Sequence, residues 1–174
     1  MKNQIFSTIF LLIITSIIYS CQTEPRSDLE AQINDVEKQL FETKNGVINK
    51  KEAANIIHLY TKYVNDYPED EKSPQYLFKA ADVSINSFHS DATIELFDRI
   101  ITEYPHFEKT PQALFLKAFT YENYLMNLDS ARVSYLLFLD KYPNHNFAND
   151  AQVSLNNLGK SPEEIIKSFN QSNP

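Results

Sequence analysis

Apolar residues fall at Leu77, Phe78, Ala81 and Ile85, and again at Leu114, Phe115, Ala118, Phe119 and Tyr121. Steps of three and four are those of a helix with one buried face. Each run opens on a pair, Ser73-Pro74 or Thr110-Pro111, read as an N-cap followed by a first-turn proline. A second run follows each: Ile94, Phe97, Ile100 and Ile101 after Ser90-Asp91, then Ala131, Tyr135, Phe138 and Leu139 after Asp129-Ser130. Both second runs end at a Tyr-Pro pair, Tyr104-Pro105 or Tyr142-Pro143, because proline disfavours helical geometry in the residue before it.

The flanks carry the same punctuation. Ser27-Asp28-Leu29-Glu30 reads as a capping box ahead of Leu29, Ile33, Val36, Leu40 and Phe41, with Asn45-Gly46 as the stop. Asn49 with Glu52 opens a partner helix carrying Ile56, Tyr60, Tyr63 and Tyr67. Phe147 to Leu158 predicts one helix ended by Gly159, and Ser161-Pro162-Glu163-Glu164 caps a last one with Ile165, Ile166 and Phe169. The pattern predicts an all-α fold of eight helices in four antiparallel pairs. Leu29, Ile33, Val36 and Leu40 also follow a 4-3-4 spacing, so a short coiled coil is the alternative use of the first helix.

The units repeat. YPEDEKSPQYLFKAA at 67–81 returns as YPHFEKTPQALFLKA at 104–118 with nine of fifteen positions identical, and Tyr-Pro recurs at 67, 104 and 142. A period of 37 or 38 residues belongs to stacked helical units, none of which buries its apolar face alone. Ala118, Tyr121, Ala131, Tyr135 and Pro143 in one unit, and Ala81, Phe97 and Pro105 in the unit before it, resemble the tetratricopeptide repeat. The earlier unit departs at Ser84 and Thr93, and the 28–68 unit keeps only Tyr60 and Pro68. The resemblance implies a helical-repeat solenoid of about four pairs over residues 28–170, followed by a short tail at 171–174.

Composition narrows the function classes. Two glycines among 174 residues leave little room for tight hairpins or a glycine-rich phosphate loop. A formal charge of −7 lacks the basic footprint that nucleic acid or an anionic bilayer surface attracts.

At the N-terminus, Lys2 precedes an apolar run from Ile5 to Ile18, too short for a spanning helix. Ile18, Ser20 and Cys21 resemble a bacterial lipoprotein signal, which implies a leader at 1–20 and a lipidated tether at 21–27. The lone cysteine would then carry diacylglycerol, with an acylated amine beside it, and form no disulfide. In such proteins an aspartate after the cysteine signals inner-membrane retention. Gln22 stands there, which implies the outer membrane; the solenoid is expected to face the periplasm. A transmembrane anchor or a secreted protein with a spare thiol are the alternatives.

Catalytic patterns are not evident. His58, His89, His106 and His145 form no ligand pair at helical spacing, no serine sits in a nucleophile elbow, and Glu69, Asp70 and Glu71 read as a solvated acidic loop. The expectation is no enzyme, no metal and no cofactor beyond the lipid on Cys21.

A partner surface is expected on the first helices of the pairs, which the repeat resemblance places on a concave face. It would carry Gln75, Phe78, Asp82, Ile85 and Asn86, then Gln112, Phe115, Phe119, Glu122 and Asn123, with Asp150 and Val153 beyond. Packing within the repeat is the alternative for the three phenylalanines. Such a face would take an extended or helical polypeptide segment with apolar side chains. The lipobox with Tyr-Pro-terminated repeats looks like the BamD-like group, lipoprotein adaptors of outer-membrane β-barrel assembly. The alternatives are a periplasmic repeat protein of the Tol–Pal type, coordinating envelope or cell-wall processes, and a nutrient-binding lipoprotein.

Overall fold

In the computed structural model, which describes residues 25–42, 49–88 and 90–172, every regular element is an α-helix. In chain order these are α1 (Arg26–Glu42), α2 (Lys50–Asp66), α3 (Ser73–Ser87), α4 (Asp91–Glu103), α5 (Thr110–Asn123), α6 (Leu128–Lys141), α7 (Ala148–Asn157) and α8 (Pro162–Ser172). The expected leader, the lipid site Cys21 and the Asn45-Gly46 stop lie outside the described residues.

Three helix starts form as the residue pattern predicts. The Asn49 side-chain oxygen accepts from the backbone N–H of Lys51 and Glu52, both at 3.0 Å, and Glu52 returns a carboxylate to the Asn49 N–H at 3.1 Å. Ser161 and Glu164 make the same reciprocal pair at the head of α8.

Ser90 is likewise the N-cap of α4, its N–H donating to the Thr93 hydroxyl at 3.4 Å, whereas at α1, α3, α5 and α6 the expected caps are displaced. The N-caps of α3 and α5 are Lys72 and Lys109, not Ser73 and Thr110. The hydroxyls of Ser73 and Thr110 sit inside the first turn and donate backward, to the carbonyls of Tyr67 at 2.6 Å and Tyr104 at 2.7 Å. They tie a helix to the end of the one before it. The α6 cap is Asn127, whose side chain accepts from the Ser130 N–H at 3.1 Å. The box expected at Ser27 does not close. The Pro25 carbonyl takes the Asp28 and Leu29 N–H groups, while Glu30 accepts from Lys72 at 2.8 Å and from the Tyr63 hydroxyl at 3.0 Å.

The period seen in the residues is also a period of backbone geometry. Helices α2, α4 and α6 end at Tyr67, Tyr104 and Tyr142, with φ/ψ of −134/57°, −127/57° and −132/51°. In each turn the tyrosine carbonyl accepts from the N–H three residues on: Asp70, Phe107 and His145. The carbonyls of those three residues then accept from Ser73, Thr110 and Ala148.

Helices α1 to α7 each pack on their neighbours in sequence. A first core runs from Leu29 and Ile33 of α1, both fully buried, through Ile56, Tyr63, Leu77 and Phe97 to Ala113 of α5. A second begins at the next residue, Leu114, and takes in Tyr135, Phe138, Ala151 and Leu158. Ile101 packs against both. Burying one such side chain contributes about 1.5–3 kcal/mol. Ala81, Ala118 and Ala131 have no exposed surface and let neighbouring helices approach. Helix α1 therefore packs on α2 rather than standing apart. After α7 the chain turns at Gly159, whose φ of 80° suits glycine.

Candidate interaction faces

The first-helix residues expected to form a partner groove divide into two groups. Phe78 is 7% exposed, and Lys109 Nζ lies 5.2 Å from its ring centroid. One period later the Phe115 ring stacks on Phe147 at 4.9 Å and meets Phe138 edge-on at 5.8 Å. Lys109 and Phe147 each stand five residues after a Tyr-Pro tyrosine, so the two contacts are one joint made by different chemistry. In both, the phenylalanine is covered by the turn that follows. Ile85 is buried, and Phe119 is half-buried against Tyr124 at 5.9 Å.

The polar members of the set remain nearer the solvent. Asp82, Asn86, Asn123 and Asp150 are exposed, and Gln75, Gln112 and Glu122 are half-buried. The amide nitrogens of Asn86 and Asn123 donate to the carbonyls of Asp82 and Phe119, four residues back in each case. Glu122 accepts from the hydroxyl of Tyr135 at 2.7 Å, and burial pushes the Tyr135 phenol well above its ordinary range. Val153 is partly open to solvent on α7.

Crevices open between helices among the described residues. The larger, about 490 Å³, runs between α2 and α4 beneath the end of α3. Ile57, Phe88 and Leu96 give it an apolar lining, with His58, Glu95 and Arg99 among its polar residues. Arg99 is already engaged by Glu103, at 2.7 and 3.0 Å. The smaller, about 270 Å³, lies between α5 and α6. They are related by the repeat: Ser84, Ala92, Glu95 and Leu96 in one correspond to Tyr121, Ser130, Val133 and Ser134 in the other. The larger hollow sits where the unit has serine in place of tyrosine.

A cluster of charge fixes the N-terminal end. Arg26 reaches Asp70 at 2.7 Å, and Lys72 reaches Glu30 at 2.8 Å, joining α1 to the first Tyr-Pro turn. The ammonium of Lys72 and the hydroxyl of Tyr63 hold the Glu30 carboxyl below its usual range. The Lys72 backbone N–H is the largest cause of the same shift at Asp70. This is a structural clamp with both signs of charge satisfied.

Among the described residues no group of three or more His, Cys, Asp or Glu side chains could hold a metal ion, and no helix is long and apolar enough to cross a membrane. Residue spacing did not disclose the outward face of α6, where Val133, Leu136 and Leu137 are exposed. Aligning the three second helices shows it, because the matching positions on α4 are Glu95, Asp98 and Arg99.

No family model matches the chain, and no curated protein matches it.

Proposed function

We propose that this chain is a membrane-anchored scaffold of the bacterial cell envelope, a tetratricopeptide-like solenoid of about four helix pairs that holds other polypeptides. Lipid on Cys21 would fix it to the outer membrane, facing the periplasm, and an adaptor role in β-barrel assembly fits that position. The observation that carries the reading is the thrice-repeated turn, closed at Tyr67, Tyr104 and Tyr142 with nearly the same backbone angles. A chain that reuses one joint and packs each helix on the next extends a surface rather than enclosing a site. The partner face is assigned to the first helices, with Asp82, Asn86 and Asn123 as its open polar positions. An acidic chain of charge −7 favours a partner segment with basic as well as apolar side chains.

Two measurements test this. The mass of the mature protein should include a diacylglycerol adduct on Cys21, and an unmodified thiol rejects the anchor. Capture from detergent-solubilised envelope with the anchored protein should recover a β-barrel insertase. Recovery of Tol–Pal components instead would keep the scaffold and reject the assembly role.

A further inference from the structure

The outward face of α6 departs from both of its counterparts. Val133, Leu136 and Leu137 are 65%, 50% and 38% exposed. One period earlier these positions hold Glu95, Asp98 and Arg99, and two periods earlier His58, Thr61 and Lys62. Ala131, Tyr135 and Phe138 bury the opposite side of the helix, so the stripe faces solvent. Three aliphatic side chains in slots that elsewhere carry polar or charged residues are an apolar patch that needs a reason.

The patch has two properties that point to a second copy of this chain. It carries a ridge and a hole together: Val133 also lines the 270 Å³ hollow, with Tyr121 of α5 on the far wall. A contact about a two-fold axis needs both shapes on one surface. Its charges are also self-complementary. Arg132 lies toward one end of the stripe, and Asp140 and Lys141 lie toward the other. Among the described residues none of these three makes an ion pair within the chain. Two α6 helices crossing antiparallel at Leu136 set Arg132 of each copy four residues from the axis, opposite Asp140 of the other. In that arrangement Leu137 of each copy would approach the hollow beside Val133 of the other.

We infer that the outward face of α6 is the contact surface of a homodimer, built on Val133, Leu136 and Leu137 and oriented by Arg132 and Asp140. The inference is independent of the anchor and of the partner groove. Its consequence is two tethers and two first-helix faces in one assembly, which raises the effective concentration of any partner with two sites.

The test uses the full chain in mild detergent. Sedimentation should give twice the protomer mass. Leu136→Cys should form a disulfide-linked dimer on mild oxidation, whereas Glu95→Cys, on the corresponding outward face of α4, should not. Arg132→Asp should weaken self-association roughly tenfold or more. Adding Asp140→Arg should restore it, since both pairs are then reversed. A protomer mass for the unaltered chain, equal crosslinking at both cysteine positions, or no rescue by the second charge reversal would each overturn the inference. So would binding of this face to lipid vesicles, or to another protein, without a doubled mass.

Discussion

Ser84 and Thr93 share a hydrogen bond of 2.8 Å between their hydroxyls, with Ser84 3% exposed and Thr93 fully buried. The next unit has Tyr121 and Ala131 at the same places. Two departures from the repeat pattern are therefore one exchange: a large and a small residue are replaced by two hydroxyls that satisfy each other. Removing one partner costs the other this bond, about 0.5–1.5 kcal/mol, since Ser84 lines the 490 Å³ crevice and the Thr93 hydroxyl also accepts from the Ser90 N–H. Ser84→Ala or Thr93→Val should each destabilise by about that much in urea unfolding, and the double variant should cost clearly less than the sum. Additive losses would show that the hydroxyls act separately.

The second Tyr-Pro turn is bound to the first by Tyr104, whose hydroxyl donates to the Pro68 carbonyl at 2.9 Å across 36 residues. The contact is near the surface, so water can replace the lost donor. Tyr104→Phe should lower stability by about 0.5–1.5 kcal/mol with helical content unchanged. The change belongs in the unfolding midpoint, and a midpoint equal to that of the unaltered chain would leave this link without an energetic role.

These cases mark where residue patterns stop being readable. Periodicity and proline placed the described helices and most of their starts to within a residue or two, because those signals act within one turn of chain. Asn49 and Ser161 were legible as caps for the same reason. The direction of the Ser73 and Thr110 hydroxyls was not, since both cap and back-bond use the same residue types. Nor was the fate of Phe78 and Phe115. Periodicity puts them on an apolar face, but the turn that covers them depends on how one pair tilts over the next. The α6 stripe was legible only by comparison between units.

The division of the first-helix face decides how a partner groove can be probed. Phe115→Asp would place a charge beside Phe138 and Phe147 and destabilise the second core, so lost capture would say nothing about binding. Asp82 and Asn123 are exposed on the same helices and suit the purpose. Asp82→Lys combined with Asn123→Lys should reduce partner capture about tenfold or more while thermal stability stays within about 0.5 kcal/mol. Undiminished capture by a folded variant would move the binding face elsewhere.

Acid should loosen the N-terminal clamp first. Glu30 and Asp70 have carboxyl pKa values below their ordinary 4.5 and 3.8, through Lys72 and Tyr63 for the first and chiefly the Lys72 N–H for the second. A depressed folded-state value means that these groups stabilise the fold above the unfolded pKa. That contribution fades as pH falls below about 4.5 and through the lower folded-state values. Lys72 is shifted up from 10.5 by Glu30, so it stays charged throughout the acid range and its own contribution is lost only in strong alkali. Glu30→Gln keeps an oxygen for the Tyr63 hydroxyl but removes the titrating charge. The stability gap between the unaltered chain and Glu30→Gln, from urea midpoints, should be constant from pH 6 to 8 and close as pH falls below about 4. It should also narrow in high salt, because the pair is exposed. Curves that stay parallel down to the lowest pH would show that the clamp does not contribute through its charge.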